Sequence, residues 1–171
     1  MIARLNRLVI LLTFKVRSSS GLLRMLSQQP NGRVLLILDV LKEREVFQDG
    51  TAREADLSRL QGQNVRLAMA LLERVSFQGA DLREGYFGDG RLTGANFREA
   101  DLRQANFRNA TLNHADFTNA NVSNAYFAGA NLQGARFDGA DLRGANFWGA
   151  HMEGVTFDRA LFDEETILPS A

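Results

Sequence analysis

Ala80-Asp81-Leu82-Arg83-Glu84 and Ala95-Asn96-Phe97-Arg98-Glu99 decide how this chain folds. Each is one unit of the same order: a small residue, a polar residue, a large apolar residue, then two variable residues. The order holds without a slip from Val75 to Glu164, which is eighteen units, since (164 − 74)/5 = 18. A strict short period specifies a solenoid, whose units bury their apolar residues only by stacking on one another.

The central positions carry a second period. From Leu72 and Phe77 to Met152 and Phe157, phenylalanine alternates with an aliphatic residue, and only the last centre, Phe162, breaks the order. The chemical period is therefore ten. If like residues stack on like in successive coils, the coil has an even number of sides. Two sides enclose nothing, so four is the smallest solution, with twenty residues per coil. Asp81, Asp101 and Asp141 repeat at multiples of twenty, as do Arg83, Arg103 and Arg143. The columns Phe87/Phe107/Phe127/Phe147 and Phe97/Phe117/Phe137 are then expected on opposite walls of one narrow core.

The residue two before each centre is usually Ala, and it shares the inward face of an extended segment. The Asx residue between the two, such as Asn106, Asp116 or Asn131, points outward, where it can bond nearby backbone. Gly129, Gly134, Gly139, Gly144, Gly149 and Gly154 close their units and predict turns with positive φ. At about 4.8 Å per coil, the eighteen units predict a rod of roughly 20 Å.

Units such as Ala-Asn-Leu-Gln-Gly (130–134) and Ala-Asp-Leu-Arg-Gly (140–144) resemble the pentapeptide-repeat family. The resemblance implies an all-β solenoid, a right-handed quadrilateral β-helix, over Val75–Glu164. It also implies that the tail at 165–171 caps the last coil, as in many family members. The family is well populated in bacteria, cyanobacteria above all, and mostly lacks assigned activities.

Upstream the repeat frays. Val65/Leu67, Ala70/Leu72 and Ala55-Asp56-Leu57 keep the inward pair in register, but Gly62 stands where a centre belongs. Residues 55–74 read as a degenerate first coil, which places the β-helix at 55–164. A helix is the rival, because Thr51-x-x-Glu54 fits a capping box and Asn64 could cap a helix through Arg74. Residues 1–54 contain no repeat. Ile2, Leu5, Val9, Leu12 and Val16 follow helical spacing, with Arg4, Arg7, Lys15 and Arg17 among or just after them. A mostly α-helical, basic N-terminal segment is expected. Its bland role is to plug the open end of the solenoid, since an uncapped β-helix exposes apolar core and unpaired edges. The sharper role is docking on an anionic membrane surface or a partner.

Charge supports the sharper role in part. Residues 1–74 carry 12 Lys/Arg and 7 Asp/Glu (12 − 7 = +5), and residues 75–171 carry 8 and 13 (8 − 13 = −5). Nucleic-acid binding is not favoured, because the basic segment has no interleaved aromatics and no reader motif. The chain has no cysteine, which excludes disulfides and zinc–thiolate sites. No run approaches the roughly 18 apolar residues of a membrane-spanning helix. A cleaved leader is not expected, since Lys15 and Arg17 cut the apolar run short. A cytoplasmic or membrane-peripheral location is expected.

Catalysis needs converging groups, and none is legible. His114 and His151 fall on one wall nearly two coils apart, about 10 Å, with no clustered carboxylates. Gly88-Asp89-Gly90-Arg91 has neither the spacing nor the context of a phosphate loop. No enzyme activity, metal or cofactor is expected. One wall differs from the others: it carries Tyr86, Tyr126, Ala128 and Trp148, with few charges. Exposed aromatics with depleted charge mark interaction surfaces. The residues therefore predict a non-catalytic protein-interaction module with a protein partner or a second copy of itself. Two alternatives stand beside it: a peripheral membrane adaptor working through the N-terminus, and, by family resemblance alone, a DNA mimic acting on type II topoisomerases.

Overall fold

The computed structural model of the chain describes residues 47–169. The expected N-terminal helix, with Arg4, Arg7, Lys15 and Arg17, lies outside the described residues. Within them the chain is one coil repeated, with isolated parallel bridges joining each unit to the unit twenty residues on, from Asp56↔Ser76 to Arg136↔Thr156 and Asp141↔Leu161. Four walls follow. Wall 1 is centred on Leu57, Phe77, Phe97, Phe117, Phe137 and Phe157. Wall 2 is centred on Gly62, Leu82, Leu102, Val122, Leu142 and Phe162. Wall 3 is centred on Phe47, Leu67, Phe87, Phe107, Phe127 and Phe147, and wall 4 on Ala52, Leu72, Leu92, Leu112, Leu132 and Met152.

One unit shows why five residues suffice. The Ala95 N–H closes a turn onto the Leu92 carbonyl (2.9 Å), and the Asn96 N–H reaches back to Val75 in the previous coil (2.9 Å). The N–H groups of Phe97 and Glu99 reach forward to Asp116 (2.7 Å) and Thr118 (3.0 Å) in the next. The fifth donor, the Arg98 N–H, would be left over, and the Asn96 side chain accepts it at 3.0 Å. The Asx residue thus completes the donor set of its own unit, as an Asx turn does. Asp56, Asn106, Asp116, Asn121 and Asn146 accept the same bond in theirs.

The turns require positive φ at the last residue of every unit, as a type II turn does. Every such position from Glu54 to Arg159 has it, fourteen of them non-glycine and eight glycine. A left-handed non-glycine residue costs roughly 1–2 kcal/mol. The cost is tolerated because that residue's N–H bonds the next coil, as Glu99 does.

The interior is apolar throughout. Rings within a wall stack, with Phe117 over Phe137 at 4.6 Å and 1° and Phe107 over Phe127 at 5.1 Å and 3°. Rings of walls 1 and 3 meet edge to face across the core, at 5.7 Å and 90° for Phe127 and Phe137. Both geometries suit the ring quadrupole, and such pairs add about 0.5–1.5 kcal/mol each beyond burial. Among the described residues no buried side-chain polar atom lacks a partner.

Residues 55–74 are coil and not helix. Leu57, Leu67 and Leu72 are buried like the later centres, and Gln61 bridges Asp81. Gly62 is filled from the side: a Cβ there would stand 3.3 Å from Leu60 and 3.1 Å from Leu82. Leu60 occupies a corner that Ala holds elsewhere, so a large corner and an empty centre exchange volume. At the other end the step lengthens to 21 residues, with Asn146 bridging Ile167. There the Gly144 N–H bonds the Asp163 carboxylate instead of a backbone carbonyl, at 2.8 Å. Met152, Val155, Phe157 and Ala160 are only partly covered, and Leu161, Phe162, Ile167 and Leu168 are exposed.

Candidate contact wall

The outer surface of wall 3 is built from the residues flanking each buried phenylalanine. Tyr86, Asn106, Tyr126 and Asn146 form one continuous ladder of bridges. Phe87, Phe107, Phe127 and Phe147 beneath them are fully buried, so the wall rests on a rigid stack. Tyr126 is 51% exposed and Trp148 is 66% exposed. Met69, at 67%, joins them on the same wall. The wall expected from Tyr86 onward therefore extends one coil further back, to Met69. Its signal was present, because Met69 stands two residues after the Leu67 centre, as Asp89 stands after Phe87. Among the described residues, the other large exposed apolar residues all lie at the C-terminal end.

Tyr86 and Tyr126 occupy the place of the Asx residue and so cannot accept the leftover N–H of their units. The N–H groups of Gly88 and Ala128 have no protein acceptor among the described residues. Tyr86 instead lies over Gly88, where a Cβ would come within 3.0 Å of its ring. At Tyr126 the neighbour is Ala128, and the ring is more open. Gly129 leaves room for the coil above: a Cβ there would stand 2.6 Å from the Asn109 side-chain oxygen. Asn109 in turn donates to Asp89 at 3.2 Å.

Wall 2 is the electrostatic opposite. Arg83 grips Asp81 with two bonds (2.7 and 2.6 Å), and Arg103 grips Asp101 (2.9 and 2.7 Å). Arg143 grips Asp141 in the same way (2.9 and 2.7 Å). The Arg83 bond holds the Asp81 carboxyl below the ordinary carboxylate range, and the Arg143 bond does the same for Asp141. On wall 1, burial opposes ionisation of Asp116, but bonds from Thr118 and Arg98 outweigh it and its pKa is lowered. His114 and His151 both lie on wall 4 but in different columns: His151 bridges Asn131, whereas His114 is a left-handed turn residue whose ring lies against Gly134. No group of His, Cys, Asp and Glu among the described residues could hold a metal ion. No helix among them is long and apolar enough to cross a membrane.

With the geometry in place, comparison with known proteins is direct. The family model for the pentapeptide repeat region matches residues 62–137 and 91–167. That family forms right-handed β-helices, and the parallel twenty-residue ladder is that architecture. A comparison with curated proteins finds no match. Among solved structures, the chain is similar to a pentapeptide repeat protein of the Arabidopsis thaliana thylakoid lumen, at 34% identity with a TM-score of 0.38. The match covers 48% of this chain and 61% of that one, so it spans about three fifths of the plant protein. It is similar to Rfr23 of the cyanobacterium Cyanothece 51142 at 30% identity, covering 63% and 67% of the two chains, with a TM-score of 0.23. It is also similar to QnrB1, a plasmid-mediated fluoroquinolone resistance protein, at 16% identity, covering 66% and 79%, with a TM-score of 0.38.

Proposed function

This chain belongs to the pentapeptide repeat family, and we propose that it works as a non-catalytic protein-interaction scaffold whose contact face is wall 3. One observation carries the reading. Apart from the C-terminal end, the large exposed apolar residues among those described, Met69, Tyr126 and Trp148, stand on a single wall. Aromatic residues and methionine with few charges are the composition of interface cores. A rigid floor adds to it, because a preorganised surface loses little entropy on binding.

DNA mimicry is the weaker reading. It needs an uncompensated acidic wall, and on wall 2 each of Asp81, Asp101 and Asp141 is already neutralised by an arginine of its own unit. A gyrase supercoiling assay separates the two: a scaffold leaves the rate unchanged, whereas a mimic inhibits it. The contact wall is tested through Trp148, the chain's only tryptophan. Its emission should shift to the blue when a captured partner is added, and an unshifted spectrum would place the contact elsewhere.

A further inference from the structure

Wall 4 carries a recess that the contact wall does not explain. It has a volume of about 590 Å³ and spans the first to the third coils, lined by arginines on one side and His114 on the other. The last residues of successive units on this wall are Arg74, Gly94 and His114; Gly94 (φ +68°) carries no side chain, and the Arg74 stem lies over it, its Cγ 3.3 Å from where a Cβ would stand. Two coil spacings, about 9.6 Å, therefore separate the backbones of Arg74 and His114. Thr93 and Gly94 form a floor of small residues.

The charge around the recess is not balanced. Glu73 is held between Arg53 (2.8 Å) and Arg91 (3.1 Å), and Arg74 pairs with Glu54. Three arginines against two glutamates leave 3 − 2 = +1. Wall 2 differs, because each aspartate there is matched by one arginine of its own unit. A guanidinium has five donors, and one or two carboxylate bonds leave the others free. Arg74 and Arg91 are also largely exposed, at 70% and 61% of their side chains.

We propose that this recess binds a small oxyanion ligand, a molecule bearing a phosphoryl or carboxylate group, between the guanidinium groups of Arg74 and Arg91. Planar guanidinium donors match both kinds of oxyanion. The volume lies within the range of small-molecule sites, about 300–1,000 Å³. The mode is side-chain recognition by arginines over a floor of small residues, unlike a glycine-rich loop that cradles phosphate with backbone N–H groups. It is independent of the contact wall, which faces another side of the coil.

Titration calorimetry with inorganic phosphate, pyrophosphate and citrate tests the site. The full chain should bind at least one of them saturably with one site per chain. Arg74→Gln/Arg91→Gln should weaken that binding by roughly tenfold or more, because two charge-assisted bonds are lost. Arg103→Gln/Arg143→Gln, which removes the same charge from wall 2, should leave it unchanged. Gly94→Asn introduces a residue that tolerates positive φ, removes no charge and presses on the Arg74 stem, 3.3 Å from its Cβ, so it should also weaken binding. Circular dichroism confirms that each variant is folded. No saturable binding of any of the three ions, equal loss in the wall 2 variant, or undiminished binding by Gly94→Asn would each overturn the proposal.

Discussion

Walls 2 and 3 share one backbone and enclose one core, yet they present opposite surfaces. Wall 2 pairs Asp81, Asp101 and Asp141 with Arg83, Arg103 and Arg143. Wall 3 shows Met69, Tyr126 and Trp148 to solvent. In this fold the inward residues are committed to stacking and the Asx residue to its own turn. The outward residues are then free to differ from wall to wall at little cost to stability. A surface that departs from the Asx pattern, as Tyr86 and Tyr126 do, gives up a bond that its unit would otherwise make.

If the centres of both walls are equally committed to the shared core, truncating them should cost similar amounts. Phe107→Ala on wall 3 should lose about 3–5 kcal/mol, and Leu102→Ala on wall 2 about 2–5 kcal/mol, in denaturant unfolding. A much smaller loss on either wall would break the equivalence. The turns sharpen it next. Gly149, on wall 3, has nothing within 4 Å of a built Cβ, so Gly149→Ala should cost only the left-handed backbone penalty, about 1–2 kcal/mol. Gly129→Ala on the same wall should cost more, because the Asn109 oxygen must move. Adding Asn109→Ala should return the loss to the Gly149→Ala level, and a persistent excess would show that backbone is displaced instead.

Acid separates the two walls. The folded pKa values of Asp81 and Asp141 are depressed by their bonds to Arg83 and Arg143. Their contribution is therefore present above the unfolded aspartate pKa, about 3.9, and is lost as pH falls through the lower folded values. Asp141→Asn should flatten the acid limb of a stability–pH curve, and an unchanged limb would show that wall 2 pairs add nothing. The smallest effect belongs to the surface of wall 3. Tyr126→Ser with Trp148→Ser should change unfolding free energy by no more than about 0.5 kcal/mol for each site. A larger loss would mean that these rings support the fold.

Much of this architecture was legible because stacking enforces period. The Phe/aliphatic alternation gave an even-sided coil, and Asp81, Asp101 and Asp141 gave its length, which the bridges reproduce. Gly129 to Gly154 announced the positive-φ turns. Other features were hidden because they depend on contacts between residues twenty apart. Glu54, Arg74 and Gln104 adopt the same left-handed turn as the glycines, although their side chains do not announce it. Gly62 looked like a break in the repeat until Leu60 was seen to fill its place. Gly134 follows His114 in the column because the imidazole leans onto it, 2.6 Å from where a Cβ would stand. The aromatic wall could be placed from Tyr126 and Trp148, but Met69 needed the upstream coil to be known as a coil. The recess on wall 4 could not be foreseen, since it depends on how Arg53, Arg74 and Arg91 of successive coils lean over the small residues Thr93 and Gly94.

Affinity purification from the native host, run in parallel on the intact chain, on Tyr126→Ser/Trp148→Ser and on Arg103→Ser/Arg143→Ser, tests the contact face most directly. The account predicts a partner retained by the intact chain and by the wall 2 variant, and lost from the wall 3 variant while that variant remains folded. A partner retained by the wall 3 variant, or lost equally from both, would contradict it.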